Sequence, residues 1–379
     1  MEIYFDNSST TKPYKEVIDE VVNAMEEYFG NPSSLHRIGI KSEKKLVEAR
    51  EFLGKSINAS KDEIYFTSGG SESNNLIIKG LVKPGHHIIT TIFEHHSVLM
   101  TYKELEKTGV KVTYLDVDKD GKISLDDLKE AICKDTVLVS IMHVNNEMGA
   151  IQDIKSIGEI IKERSSRARL HVDAVQSYGK LDIDVKKMNI DMLSVSAHKI
   201  HGPKGIGFMY IKENSKLKPI ITGGGQESSV RSGTENVPGI YGLGKAVEIM
   251  NKDLDSKIEK IQSLKVLLKE EILKNIEGVK VNSPEDGVCH ILNVSFENIR
   301  GEVLLHFLEQ KNIYVSTGSA CSSKKKGSHV LNAIKLKPDE IEGAVRFSLS
   351  DFNKEEEILE TVKVLKDSVN DLRTIIKRR

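Results

Sequence analysis

A lysine at the end of an apolar strand does chemistry only when other groups converge on it. Ser196-Ala197-His198-Lys199 closes the run MLSVS and precedes the Gly/Pro-rich turn HGPKGIG. That setting puts Lys199 at the carboxyl end of a parallel strand, where α/β sheets open their ligand crevices. Upstream, HVDAVQS ends another strand with Asp173 and, three residues on, Gln176. The 26 residues from Asp173 to Lys199 allow one crossover between neighbouring strands. An amine and a carboxylate so placed suit pyridoxal phosphate (PLP). The amine forms a Schiff base, and the carboxylate faces the pyridinium nitrogen and makes the ring a better electron sink. Taken singly, such a lysine is a solvated charge and such an aspartate is a helix cap.

Three further segments decide between these readings. TSGGSESNN is a glycine turn between a strand and a helix. Backbone N–H groups of Gly70 and Ser71 at that helix N-terminus, with the Ser71 hydroxyl, would cradle a phosphate. Glu94-His95-His96 opens the next strand–helix junction and offers an imidazole to lie over a flat ring. Asn145-Asn146-Glu147 follows TVLVSIM and offers an amide to a ring hydroxyl. Each segment has a bland alternative, but their order along one sheet is specific.

The elements that must carry these residues are visible as pattern. Runs rich in β-branched residues at 64–67, 87–91, 110–117, 137–142, 169–174, 192–196 and 206–211 alternate with helical patterns at 71–80, 97–107, 125–132 and 154–164. Alternation of this kind predicts a mainly parallel seven-stranded sheet covered by helices. Long helices follow at 238–250 and 253–275, then strands at 279–282, 290–296 and 345–350 with helices at 301–311 and 355–376. The expected organisation is a large domain over 14–252. Residues 1–13 and 253–379 should build a smaller α+β domain.

Composition excludes several classes. Lys+Arg 55 against Asp+Glu 56 leaves a net charge of −1, which argues against tight nucleic-acid binding and against a polybasic membrane protein. Hydrophobic content of 39% and charged content of 29% fit a folded cytoplasmic protein with no membrane span and no export signal. Cys133, Cys289 and Cys321 are too scattered for a disulfide framework or a zinc cluster. His86, His87, His95 and His96 lack the carboxylate or thiol spacing of a metal site, so none is expected. Residues 116–127 nearly spell a calcium loop, but Asp127 stands where a bidentate Glu is usual, and Ser124 with Asp127 reads better as a helix N-cap and its partner. Gly54-Lys55-Ser56 resembles the end of a phosphate-binding loop, yet Ala49 stands at its first position, inside a helical pattern.

The ordered motifs YFDNSSTT, FGNPSS, TSGGSESNN, MHVNNEMG, HVDAVQS, SAHKIHGPKG, RSGTEN and STGSACSS make the sequence similar, over essentially its whole length, to the cysteine desulfurases of the NifS/IscS type. These are PLP-dependent enzymes of fold type I on the class V aminotransferase fold. The resemblance implies Lys199 as the Schiff-base lysine, Asp173 at the pyridine nitrogen, and His95 stacked on the ring and moving protons. It implies Gln176 and Asn146 at the ring oxygen, and Gly70, Ser71, Ser196 and His198 at the phosphate. Thr234 would reach the phosphate of the other subunit's cofactor, which implies a homodimer with shared sites. Arg346, in AVRFSLS, would clamp the substrate carboxylate with help from Asn31, and Asn146 would also touch substrate.

Cys321 lies among small and polar residues with Lys324, Lys325 and Lys326 after it, a composition that describes a mobile loop with an exposed, thiolate-prone cysteine. Cys133 and Cys289 lie in or beside apolar patterns and read as packing residues. The implied activity converts L-cysteine to L-alanine and leaves the sulfur as a persulfide on Cys321. An acceptor protein would then take it, for iron–sulfur cluster assembly or, alternatively, through a sulfurtransferase for tRNA thiolation. Selenocysteine lyase and ordinary aminotransferase activity are the neighbouring alternatives.

Overall fold

The computed structural model describes residues 2–318 and 327–377. Cys321 and the lysines that follow it lie outside the described residues. The chain opens with a short strand, β1 (Ile3–Tyr4), and two helices, α1 (Lys15–Glu27) and α2 (Arg37–Lys55). Strand–helix alternation then runs through β2 (Ile64–Thr67), α3 (Gly70–Leu81), β3 (His87–Thr91), α4 (His96–Glu106), β4 (Lys111–Leu115), α5 (Leu125–Ala131), β5 (Thr136–Met142), α6 (Ile154–Arg164) and β6 (Arg169–Asp173). Next come β7 (Met192–Ser196) and β8 (Gly207–Ile211), then α7 (Val237–Lys252) and α8 (Leu254–Asn275). The remainder is β9 (Val279–Val281), β10 (Ile291–Phe296), α9 (Gly301–Glu309), β11 (Ile313–Tyr314), α10 (His329–Ala333), α11 (Pro338–Glu342), β12 (Ala344–Ser348) and α12 (Glu355–Lys377).

Seven strands form one sheet in the order β2-β8-β7-β6-β5-β3-β4. Only β8 runs against its neighbours, pairing antiparallel with both β7 and β2. The burial pattern explains why the sheet is covered on both faces. All seven residues of β5 are buried, and successive residues feed different cores: Leu138 packs into one cluster and Val139 and Ile141 into another. Ile88 and Ile89 on β3, Met192 and Leu193 on β7, and Phe208 and Met209 on β8 divide the same way. A strand buried on both sides must be apolar at every position, which is why these segments read as continuous runs. Between β3 and β5 the direction of chain progression reverses, and that reversal opens the crevice at the strands' carboxyl ends.

A second, antiparallel sheet has the order β12-β10-β9. It packs with α8, α9 and α12 around a separate cluster built on Leu268, Leu292, Phe296, Phe347 and Leu365. The N-terminal segment joins this unit. β1 pairs in parallel with β11, and Asp6 bridges Ser348 just beyond. Among the described residues no helix is long and apolar enough to cross a membrane.

Candidate active site

A cavity of about 260 Å³ lies where the carboxyl ends of β5, β6 and β7 meet the second sheet. The structure brings Gly70, Ser71, His95, Asn146, Asp173, Gln176, Ser196, His198, Lys199 and Arg346 to its wall. Three expected site residues stand elsewhere. Asn31 is exposed in the α1–α2 loop, where its Oδ1 accepts from Ser33 N at 2.9 Å. Thr234 is exposed beside a neighbouring hollow it shares with Ser68 and Gly205. Cys321 lies outside the described residues.

The anion end of the cavity follows from two glycines. Gly69 has φ of +145°, outside the range of residues with a side chain, and turns the chain from β2 into α3. A Cβ on Gly70 would stand 2.5 Å from Val175 Cγ2, so only glycine lets the first turn of α3 approach the β6 loop. The leading N–H groups of α3 have no acceptor within the helix, and the hydroxyls of Ser71 and Ser196 share their cavity wall. His198, beside them, is pushed down to about 4 by burial and by the charges of Lys199 and Lys204. It is therefore a neutral imidazole at pH 7, with Nδ1 at 3.2 Å from Thr10 Oγ1.

Asp173, last in β6, is buried but satisfied. Oδ2 accepts from Asn74 Nδ2 at 2.8 Å, and Oδ1 accepts from Val175 N at 3.0 Å. The same Asn74 amide donates to Ser97 Oγ at 2.8 Å, and Ser97 Oγ lies 2.8 Å from His95 Nδ1. Ser97 N also donates to that Nδ1 at 3.1 Å, so in neutral His95 the proton sits on Nε2. Burial, together with the charges of Lys199 and His329, holds the His95 imidazole below its ordinary range, against the pull of Asp173. Carboxylate, amide, hydroxyl and imidazole thus form one chain of contacts.

Lys199 stands on a single 3-10 turn after β7. Its ammonium donates to the Ser8 carbonyl and, at 2.8 Å, to the Ser9 carbonyl. Gln176 Nε2 donates to the same Ser8 oxygen at 2.8 Å. Arg346, on β12, is 1% exposed. Nη2 donates to Asp6 Oδ1 at 2.8 Å and Ser9 Oγ at 2.6 Å, and Nη1 donates to the Asn146 carbonyl at 2.8 Å. Its Nε is buried without a partner, as is Oδ1 of Asn74, which lines the same cavity. Buried polar atoms without partners are uncommon, and these two flank a cavity with an amine, a carboxylate and an anion cradle. That donor set fits PLP.

Sequence reasoning missed several of these groups. Asn74 lies one turn beyond the cradle on α3, and that spacing could have flagged it. Ser8 and Ser9 act partly through backbone carbonyls, which no side-chain pattern reveals. Glu94 has no exposed atom to announce it. It accepts from Thr91 Oγ1 and Met142 N, each at 2.9 Å, and burial plus the charge of Asp173 pushes its carboxyl up to about 8.

Comparison with known proteins agrees with this geometry. The family model for class-V aminotransferases matches residues 3–360. The chain is 47% identical over 372 residues to a cysteine desulfurase IscS of Clostridium botulinum, covering 96% of this chain and 93% of the relative. It is 44% identical to the cysteine desulfurase IscS of Dictyoglomus turgidum, covering 99% and 96%. Among solved structures, a NifS-like protein superposes with a TM-score of 0.92 at 39% identity, covering 98% of this chain and all of that one. SspA in complex with cysteine superposes with a TM-score of 0.82 at 39% identity, covering 93% of this chain and 100% of that one. With the cavity built as PLP requires, this chain belongs to the class-V aminotransferase family, among its cysteine desulfurases.

Proposed function

We propose that the protein converts L-cysteine to L-alanine and holds the released sulfur as a persulfide on Cys321 for transfer to an acceptor protein. The observation that carries this reading is the convergence of Lys199, Asp173 and Arg346 on one cavity that also has an anion cradle. The cysteine complex of SspA supports L-cysteine as substrate.

In this reading Arg346, assisted by Asn146, binds the substrate carboxylate, while Asn31 stands away from the cavity of its own chain. PLP, when bound, supplies an electron sink for charge developing at the substrate Cα. Lys199 would hold the cofactor and its amine would take the Cα proton, with His95 in the same cavity to move protons. Asp173 would face the pyridine nitrogen and favour its protonated form, and Gln176 and Asn146 would meet the ring oxygen. Gly70, Ser71, Ser196 and His198 hold the phosphate. The Cys321 thiolate would then attack the substrate sulfur, forming an S–S bond as the C–S bond breaks, its electron pair passing to the substrate carbon side, which takes up a proton on the way to L-alanine. Replacing Cys321 by Ala should leave the cofactor absorbance intact and abolish sulfide release from L-cysteine; a normal rate of release would sink this assignment. Amino-acid/keto-acid exchange faster than sulfide release would point to an ordinary aminotransferase instead.

We also propose a cytoplasmic homodimer in which Thr234 reaches the partner subunit's cofactor phosphate. Ile18, Val22, Met25 and Phe29 are all exposed at helical spacing along and just past α1, with Leu35 and Ile38 nearby. An apolar patch of this kind supports an interface. Sedimentation should give a dimer, and Phe29→Asp should shift it toward monomer. Residues 14–252 would then form the large domain, and 1–13 with 253–379 the small one. For the sulfur's destination, the IscS designation of the relatives supports iron–sulfur cluster assembly over tRNA thiolation.

A further inference from the structure

The segment between β8 and α7 adopts a conformation that its own residues do not favour. Glu227, Ser228 and Ser229 follow one another at φ of 47°, 52° and 65°, the left-handed region that residues with a Cβ avoid. Three in a row persist only where surrounding contacts over-determine them. Glu227 supplies those contacts. Although a carboxylate, it is 7% exposed. Its two oxygens receive Arg50 Nη1 and Nη2 at 2.8 Å each, and Oε2 also accepts from Phe66 N at 2.8 Å.

Phe66 belongs to β2, and the chain runs directly from it into the Gly69–Gly70 turn. A second tie comes from Arg231, whose Nε donates to Glu72 Oε1 at 2.8 Å. Glu72 sits in the first turn of α3, and its other oxygen accepts from Ser68 N at 3.0 Å. The loop is thus fastened to both arms of the cradle, ahead of the glycines through Phe66 and behind them through Glu72.

We propose that Glu227 and Arg231 are positioning residues for the cofactor phosphate, the strained 227–229 turn acting as a brace that fixes the Ser68–Ser71 backbone before the anion arrives. This rests on the reading of the cradle as the phosphate site. Neither residue lines the main cavity; both border the hollow of about 90 Å³ that Thr234 shares. Their effect passes through the backbone. An anion cradle binds tightly when its N–H groups are already aligned, and a cradle that must be ordered on binding loses affinity for the phosphate specifically.

The full-length apoenzyme, stripped of cofactor, is titrated calorimetrically with PLP and with pyridoxal, which lacks the phosphate. Glu227→Ala and Arg231→Ala should weaken PLP about tenfold or more while changing pyridoxal affinity less than about twofold. Glu227→Gln, which keeps an acceptor for Phe66 N, should recover most of the loss. Parallel weakening of both ligands would mark a general structural role and overturn the proposal, as would unchanged PLP affinity. Should Glu227→Ala fail to fold, Arg231→Ala carries the same comparison. A wild-type enzyme indifferent to the phosphate would instead remove the reading of the cradle on which the brace stands.

Discussion

Gly70 shows how one residue type can be dictated by a neighbour's side chain. An alanine there would place its Cβ at 2.5 Å from Val175 Cγ2, so Gly70→Ala should destabilise the fold by about 1–3 kcal/mol and weaken PLP. Val175→Ala added to it should restore much of both, measured by thermal melts and cofactor titration. At the other end of the cavity, Arg346→Lys loses the planar fork that a carboxylate matches. The KM for L-cysteine should rise about tenfold or more with cofactor absorbance retained; an unchanged KM would argue against the clamp. Gly70 was legible because it sits in a glycine turn after a strand, whereas Arg346, in the middle of β12, was reached only through the family resemblance. Asn74, Ser8 and Glu94 were not legible, since their roles depend on which backbone or charge lies opposite them in space.

The strand runs of the large sheet were legible almost to the residue, because strands buried on both faces leave a continuous apolar signature. β4 is shorter than its pattern, 111–115 against 110–117, and its mixed burial shows an edge position. β1 and β11, two residues each, are too short to show any period. α1 escaped notice because only Val17 and Ala24 on it are buried, so its apolar stripe has no core to explain it. The reversed direction of β8 was readable in principle, since the ten residues of 197–206 leave no room for a crossover helix. The near-calcium loop resolves as the cap reading had it: Ser124 Oγ accepts from Asp127 N at 3.1 Å. Asp118 Oδ1 is meanwhile engaged by the N–H groups of Asp120 and Lys122, each at 2.9 Å. Ser124→Ala should cost about 1 kcal/mol, and millimolar calcium should leave the melting temperature of the wild type unmoved.

For the molecule as a whole, buried imidazoles set the response to acid. His143, His198 and His201 are pushed down to about 4 and His171 to about 3, by burial first in every case. In the unfolded chain such rings titrate near 6.5. Between about 6.5 and about 4, therefore, the unfolded chain holds protons the native one does not, and stability falls as pH falls through that window. Glu94 works the other way. With its carboxyl pushed up to about 8, it is protonated when folded and ionised when unfolded, so its contribution is lost as pH rises toward 8. Burial lowers His290 as well, so the lowered rings outnumber the one raised carboxyl and unfolding near pH 5.5 takes up protons. Calorimetric unfolding in two buffers of different ionisation enthalpy measures the sign of this exchange; net release would contradict the burial argument.

Arg346 meets Asp6 and Ser9 across almost the full length of the chain, and β1 pairs with β11. During translation, residues 6 and 9 leave the ribosome long before residue 346 is made. At about 5–20 residues per second, that interval is roughly 20–70 s. For its later part, the 147 residues from Lys199 to Arg346 or about 7–30 s at that rate, the glycine cradle and Lys199 exist without Arg346 to lock the N-terminal wall in place. A nascent chain stalled well past Lys199 but before Arg346 should therefore carry a site open on one side, able to meet the cofactor yet unable to grip an amino acid by its carboxylate.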